Sequence, residues 1–262
     1  MNRKNLTFLH GMSHDQIREA APAAFALSPA AKCSPGYQFV PTVSIIEMME
    51  ANNWKVISAC QQKSRNPINA EHTKHKLIFR PMGVDVQALE LGGLLPTIML
   101  VNSHNWASRI EVLNAMLRLL CSNGLIGVGS QFETFSVRHD NVLTDMQTVM
   151  ASFQANATKF LELAEQWSKI ILELPEIWEF YRAAVLIRYP DTEMQTPDFR
   201  AIRSGDMANN LWTVFNRVQE WLLKGGYKTN RRKAREIVNI SEHNRINREL
   251  FLLAEDFSNR LN

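Results

Sequence analysis

The sequence has few cysteines and no long apolar run, and these two absences exclude several classes of protein. Among its 262 residues the cysteines are three, scattered and odd in number, which argues against a disulfide framework or a zinc ribbon: Cys33, Cys60 and Cys121. The longest uncharged apolar stretch covers residues 91–101, about half of the ~20 residues that a membrane-spanning helix needs. We therefore expect reduced thiols, a cytoplasmic location and no membrane association.

The chain also lacks a strong excess of one charge. Its 29 basic and 26 acidic residues leave a net charge of +3, and a hydrophobic fraction of 45% is enough to form a core, which excludes a disordered protein. The 11 glycines and 10 prolines follow no period, which excludes collagen-like repeats. The N-terminus starts with basic residues, but polar residues and prolines interrupt the segment after them, so we expect no secretory signal.

The common catalytic motifs are missing. The sequence contains no G-x-S-x-G nucleophile turn, no phosphate-binding G-x-x-x-x-G-K-[ST] loop and no H-E-x-x-H zinc helix. Gly127 and Gly129 lack the remaining glycine of a dinucleotide fingerprint. These absences favour a protein that is not an enzyme, although they leave the question open.

Hydrophobic periodicity divides the chain into three segments. Residues 1–36 are predicted to be a loosely structured lead-in with one short helix near 13–21, residues 37–140 a β-rich part, and residues 141–262 a helical part that forms one compact unit with it. Thr42 is the expected N-cap of a helix that ends at Asn52. The predicted strands are 54–61, 74–80, 96–103, 108–113 and 131–138, and the later helices are 141–175, 176–187, 211–224 and one that starts at 241. The fold class is therefore α+β: an antiparallel β-sheet in the N-terminal half with a helix-rich C-terminal half packed on it.

Two stretches of the sequence concentrate positive charge. Residues 55–80 carry six cations against Glu71 alone, and residues 224–235 carry six with no acid. Cations that neutralise phosphates release counterions, and nearby aromatic rings can stack on unpaired bases. The candidate nucleic-acid-binding residues are Lys63, Arg65, Lys74, Lys76, Arg80, Trp106, Lys228, Arg231, Arg232, Lys233 and Arg235. The alternative is a solvated basic surface without a partner.

Four histidines lie at predicted strand ends or turns: His72, His75, His104 and His139. If these ends converge, neutral imidazoles suit a divalent metal or acid–base chemistry. Against this, residues three apart on a strand point to opposite faces, and histidines in turns commonly serve as hydrogen-bonding groups. We therefore expect no cofactor, with a divalent metal on the four histidines as the alternative.

Several short strings together resemble one known family. They are 37–44 (YQFVPTVS), 71–75 (EHTKH), 100–104 (LVNSH), 120–125 (LCSNGL), 211–213 (LWT) and 224–226 (KGG). In this order, over roughly residues 37–257, they resemble the phage- and plasmid-related family called domain of unknown function 932. This chain departs from the family pattern at His104-Asn105-Trp106, where His-Asp-Gly is usual. The resemblance implies an origin on a mobile genetic element, among genes for DNA processing and antirestriction, and implies no activity or catalytic residues.

Three functions from different classes emerge as hypotheses. The first is a non-enzymatic DNA-binding protein of a mobile element that favours single-stranded DNA, based on the cationic stretches and the family context. The order of helix, strands and helix is also similar, by analogy, to that of single-strand annealing proteins, which adds annealing or recombination as an expected role. The second is an antirestriction-type inhibitor that binds a host defence protein through the acidic stretch 162–193. The third is a metal-dependent nucleic-acid hydrolase that uses the four histidines. The expected partners are DNA, a host defence protein and a second copy of the chain.

Overall fold

The computed structural model describes residues 10–64, 67–83, 94–106, 110–118, 124–126, 134–137, 142–190, 196–229 and 232–261. The chain folds as two compact units. The first unit contains 1–120 and 132–157, and the second contains 121–131 and 158–262. One of the divisions between the units, after Ala157, falls inside the continuous helix Val142–Lys169.

Antiparallel strands form the centre of the first unit. They are β1 (Trp54–Gln61), β2 (His75–Pro81), β3 (Leu94–Asn102), β4 (Ile110–Arg118) and β6 (Thr134–Val137), while β5 (Gly124–Ile126) falls in the second unit. Strands β1 to β4 are neighbours in chain order, and β6 also pairs with β4. The prediction of an antiparallel sheet in the N-terminal half is confirmed, and β3 pairs with β4 in an antiparallel register.

One face of this sheet carries the core of the first unit. Alternate side chains of a strand point to the same face, and Leu77, Phe79, Ile98, Leu100 and Val112 are fully buried on it. The helices α1 (His14–Ala20) and α2 (Thr42–Ala51), and the beginning of α3 (Val142–Lys169), contribute apolar side chains to the same cluster. The core is thus built from segments that are distant in sequence.

The described part of the N-terminal lead-in is packed into this core. Helix α1 begins with a capping box between Ser13 and Gln16, and a short 3-10 helix, Pro22–Phe25, comes directly after it. Ile17 and three nearby alanines have no exposed surface: Ala21, Ala23 and Ala24. The expectation of a loosely structured segment therefore differs from the structure over residues 13–25, whereas residues 27–36 contain no helix or strand. The alanine-rich composition, which weakened the sequence signal, allows close backbone packing.

The second unit is helical. It contains the end of α3, followed by α4 (Leu174–Arg188), α5 (Leu211–Lys224) and α6 (Ile240–Leu261), and a short 3-10 helix at Ser204–Asp206. Trp167 is fully buried, with ring centroids 5.4 Å from Phe215 and 5.3 Å from Phe251. Helix α3 ends earlier than predicted, at Lys169, because Pro175 is accommodated in the first turn of α4 rather than ending α3. No helix within the described ranges is both long and apolar enough to cross a bilayer.

Candidate functional sites: a buried histidine network and a basic cavity

His75 and His104 come together around the hydroxyl of Thr42. His75 is the first residue of β2 and pairs with Asn102 at the end of β3, so the antiparallel register brings the two strand ends together. The Thr42 Oγ1 atom lies 2.8 Å from His75 Nε2, 3.2 Å from His104 Nε2 and 2.9 Å from Asn102 Nδ2. Thr42 is the first residue of α2, and its side chain does not cap that helix as expected. We call these four residues the histidine network.

Hydrogen-bond chemistry fixes the direction of the protons in the histidine network. The Thr73 carbonyl oxygen can only accept, so His75 Nδ1, 3.0 Å away, donates to it. A neutral His75 then accepts the Thr42 hydroxyl proton at Nε2. The Thr42 oxygen keeps two lone pairs, which accept the Asn102 amide and the Nε2–H of His104. The one donor and two acceptor positions of the Thr42 hydroxyl are thus all used, and the His75 imidazole is neutral.

Burial keeps His75 uncharged within the histidine network. His75 and His104 have no exposed surface. Removal of His75 from water lowers its pKa from 6.5 to about 4, against a smaller opposing effect of the hydrogen bond to Thr73. The His104 carbonyl accepts the Ala30 amide at 2.8 Å, and the Phe39 ring meets the His104 ring edge to face. The network therefore ties α2, two strand ends and the preceding loop together.

The expected metal site on four histidines is brought together only in part. His75 and His104 are neighbours, with ring centroids 5.2 Å apart, but both Nε2 atoms are bonded to Thr42. His72 is joined to His104 through its backbone carbonyl, and His139 lies outside the described residues. Within the part of the chain that the structure describes, no three His, Cys, Asp or Glu side chains are placed to hold a metal ion.

The cations of residues 55–80 do not form one exposed row. Lys55 pairs with Glu50 at 2.8 Å, and Arg80 is only 3% exposed. Lys76, four residues from Arg80 on the same strand face, is half-buried, and burial lowers the pKa values of both side chains. Lys63 is exposed, Lys74 is half-buried, and Arg65 lies outside the described residues. Of the four candidates in this stretch that the structure describes, only Lys63 is thus an exposed cation.

Trp106 is placed as an aromatic surface residue. Its side chain is 64% exposed, and it lies shortly after the buried Ser103 and His104. Its backbone φ is +62°, a left-handed conformation that is costly for a bulky residue. The neighbouring Tyr37 hydroxyl donates to the Ser103 carbonyl at 3.1 Å. A buried anchor thus holds an exposed indole in a strained turn.

The second cationic stretch forms a hairpin after α5. Lys228 and Lys233 face each other in an antiparallel bridge, and the Ala234 amide donates to the Tyr227 carbonyl at 2.8 Å. We call residues 227–229 and 232–235 the basic hairpin. Its exposed cations are Lys228, Arg232, Lys233 and Arg235. No carboxylate of the described residues forms an ion pair with these four side chains, and Arg231 lies outside the described residues.

Gly225 allows the basic hairpin to approach helix α5. Its φ is +73°, and a Cβ atom there would lie 2.5 Å from the Ala234 carbonyl oxygen. The Gly226 amide then donates to that same oxygen at 2.8 Å. Only glycine adopts this positive φ easily and also leaves room for the Ala234 carbonyl. The Lys224-Gly-Gly226 string therefore has a structural role.

A cavity of about 300 Å³ lies beside the basic hairpin. Arg188 and Tyr189 at the end of α4 line it, and Arg232, Lys233 and Arg235 of the hairpin line it as well. Among the lining residues that the structure describes, Glu242 in the first turn of α6 is the acidic one. Four cations and one carboxylate around a concave surface make a site suited to an anion.

The comparisons with known proteins identify the family. The family model described as "Domain of unknown function (DUF932)" matches residues 30–251. The chain belongs to the DUF932 family. Two curated relatives from Escherichia coli (strain K12) are similar along nearly their whole length. The UPF0380 protein YfjQ is 29% identical over 265 residues, which is 95% of this chain and 93% of that protein, and the UPF0380 protein YafZ is 29% identical over 259 residues, which is 93% and 90%. No solved structure is significantly similar to the chain.

Three of the strings that carry the DUF932 resemblance meet in the histidine network. The string 37–44 supplies Thr42, 71–75 supplies His75, and 100–104 supplies Asn102 and His104. A fourth, 224–226, supplies the glycines beneath the basic hairpin. The recognisable strings of this DUF932 chain thus lie where the fold demands particular side chains.

Sequence reasoning missed part of the basic cavity of this DUF932 chain. It identified Arg232, Lys233 and Arg235 from their density, but not Arg188 and Tyr189, which are about 40 positions earlier. A basic and an aromatic residue are common at the end of a helix, so the local sequence does not identify Arg188 and Tyr189 as cavity residues.

The acidic stretch 162–193 of this DUF932 chain is interrupted by ion pairs. Glu165 pairs with Lys169 at 2.7 Å, and Glu179 pairs with Arg260 at 2.9 Å. Glu193 lies outside the described residues. Cations thus accompany at least two of the carboxylates that the inhibitor hypothesis uses.

Proposed function

We propose that this DUF932 chain is a non-enzymatic DNA-binding protein of a mobile genetic element, located in the cytoplasm, with a preference for single strands. The observation that carries the proposal is the basic hairpin. Four exposed cations lie within eight residues, and no ion pair to the described carboxylates neutralises them. Exposed cations without an ion pair contribute the most binding free energy to a complex with a polyanion, because each phosphate contact releases condensed counterions.

The geometry of the basic hairpin supports a backbone contact rather than base reading. Lys228 and Lys233 sit opposite each other, and the Thr229 amide donates to the Arg232 carbonyl at 2.8 Å, which fixes the spacing of the cations. Contacts of this kind recognise phosphates and carry little sequence information. We therefore expect binding that depends strongly on salt and weakly on sequence.

The preference for single strands is supported by Trp106. An exposed indole on a short anchored loop offers a flat apolar face to an unpaired base, and such stacking contributes about 1–3 kcal/mol per base. Duplex DNA keeps its bases stacked on each other, so it gains less from this residue. The proposal assigns no reaction to the chain, since His75 and His104 are fully buried and bonded to Thr42.

The test is a binding titration with a fluorescent oligodeoxythymidylate at several salt concentrations. We expect a falling log–log dependence of affinity on salt. The double variant Lys233→Gln and Arg235→Gln should reduce the slope by about 1.4, since each neutralised phosphate of a single strand contributes about 0.7. The matched control is Lys32→Gln with Arg182→Gln, which removes one lysine and one exposed arginine outside the hairpin and should leave the slope unchanged.

Three results would contradict the proposal. One is an absence of binding at low salt. A second is an equal loss of slope in the control variant, which would indicate general attraction to the whole surface. The third is tighter binding to a duplex of the same length than to the single strand, which would remove the argument from Trp106.

A further inference from the structure

We propose that the cavity between the end of α4 and the basic hairpin binds a single nucleotide unit, with its phosphate at the cations and its nucleoside beside Tyr189. This proposal deepens the proposed function and rests on it, because it names the part of the strand that the site takes. The charge, the hydrogen bonds and the size of the cavity support it.

Arg188 gives the cavity a fixed positive charge. Its guanidinium donates to the Leu222 carbonyl, to the Arg235 carbonyl at 2.5 Å and to the Tyr227 hydroxyl at 3.4 Å. These three acceptors are all neutral, so they hold the guanidinium group in place without cancelling its charge. A cation oriented in advance loses little entropy when an anion binds.

Glu242, the acidic residue of the described cavity lining, is already engaged in hydrogen bonds. Glu242 accepts from Arg245 at 2.7 and 2.9 Å, and these bonds, with a smaller contribution from Arg188, lower the pKa of its carboxyl group. Its negative charge is therefore shared with a cation that does not line the cavity. The described lining of the cavity thus keeps an excess of positive charge, which favours a phosphate group.

The size and lining of the cavity match more than a bare phosphate. Its volume of about 300 Å³ is at the lower end of the range for small-ligand sites, which fits one nucleotide and not a longer segment. Tyr189 and Ile237 add aromatic and apolar surface to the charged lining. The half-buried Tyr189 ring has Arg188 above it, 5.4 Å from the ring centroid, so an apolar surface and a cation are adjacent.

Calorimetric titration of the full chain tests this inference with three probes: 2′-deoxyadenosine 5′-monophosphate, inorganic phosphate and deoxyadenosine. We expect the nucleotide to bind at least about tenfold more tightly than either part alone, since one stacking or charge-assisted contact corresponds to about that factor. The nucleotide should also displace a bound oligodeoxythymidylate.

Variants separate the two ends of the site. Lys233→Gln should weaken the nucleotide and phosphate about tenfold each. Tyr189→Leu should weaken the nucleotide about tenfold and leave phosphate unchanged. Arg182→Gln, an exposed arginine on the same helix that does not line the cavity, is the control and should change nothing. Circular dichroism melting confirms that each variant is folded.

The outcomes distinguish this inference from the proposed function. If the oligonucleotide binds but the mononucleotide neither binds nor competes, the pocket is refuted while DNA binding stands. If the mononucleotide binds and the oligonucleotide does not, the pocket stands and the proposed function falls. Equal affinity for phosphate and nucleotide, or no effect of Tyr189→Leu, would reduce the site to a phosphate contact and overturn the nucleotide assignment.

Discussion

Replacing Thr42 by valine removes the hydroxyl at the centre of the histidine network and keeps the shape of the side chain. Three groups lose their partner in this variant: His75 Nε2, the Nε2–H of His104 and the Asn102 amide. The residues that carry them have no exposed surface, so water cannot replace the hydroxyl without opening the core. The variant therefore isolates the hydrogen bonds from the packing.

The expected loss depends on the number of bonds. A buried polar group left without a partner costs about 1–3 kcal/mol, and partial relaxation reduces the sum for three groups, so Thr42→Val should lower the free energy of unfolding by about 3–5 kcal/mol. That is a large share of the ~5–15 kcal/mol that keeps a typical protein folded. Thr42→Ser keeps the hydroxyl, loses one methyl group and should cost only about 1 kcal/mol.

Urea unfolding, combined with hydrogen exchange on peptides from β2 and β3, measures this loss within the first unit. The matched control is Thr97→Val, also a buried threonine, whose hydroxyl makes one bond, to the Ala115 carbonyl at 3.2 Å. It should cost about 1 kcal/mol. If Thr42→Val is no more destabilising than Thr97→Val, the hydroxyl is not the centre of the network and the assigned proton directions are wrong.

Three further predictions concern single residues. His75 takes up a proton near pH 6.5 in the unfolded chain and only near pH 4 in the folded chain, so the unfolded state binds more protons between these pH values. The free energy of unfolding should therefore fall by about 2 kcal/mol from about pH 7 to pH 5. Urea titrations should show this loss in the original protein and not in His75→Gln. An equal loss in both proteins would contradict the lowered pKa. Gly225→Ala should destabilise the protein by at least about 2 kcal/mol in thermal melts, because Gly225 has a positive φ and a Cβ atom there would clash with Ala234. Gly36→Ala is the control and should not destabilise it, since the space around Gly36 is open. A stable Gly225→Ala protein would refute the close approach of the two segments. Trp106→Ala should keep stability within about 0.5 kcal/mol and weaken binding of a single-stranded oligonucleotide about tenfold, and unchanged affinity would remove its stacking role.

Elements with strong periodicity and clear end signals could be predicted from the sequence. Strand 54–61 and helix 211–224 have the predicted bounds. The helix begins after Asn210, whose side chain accepts the Thr213 amide, and it ends at Gly225. For both elements, the residues that determine the bounds lie within the element or next to it.

Other features depend on contacts that a local pattern does not contain. Thr42 beside Pro41 is typical of a helix N-cap, but its hydroxyl is used by side chains 33 to 62 positions away. Pro175 is equally consistent with the end of one helix and the start of another, and the capping box of Glu173 with Glu176 decides for the start. Arg80 has the sequence context of a surface cation, but the sheet buries it.

The candidate sites show the same division. The density of cations in 224–235 indicated a basic surface, and the exposed hairpin has that character. The concavity beside it depends on Arg188, whose contribution comes only from folding. The histidines were identified by their positions at strand ends, but that pattern gave no sign that two of them are buried around a threonine.

The histidine network also constrains how the sequence can drift over evolutionary time. Each proton in it has one direction, from the Asn102 amide and the His104 ring to Thr42, then to His75 and finally to the Thr73 carbonyl. A single exchange that removes the hydrogen-bonding group of any of these side chains leaves the others mismatched, whereas Thr42→Ser keeps that group, so most other arrangements require several simultaneous changes. Descendants of this gene are therefore expected to inherit the four side chains as a block, or to replace the whole block with an apolar one.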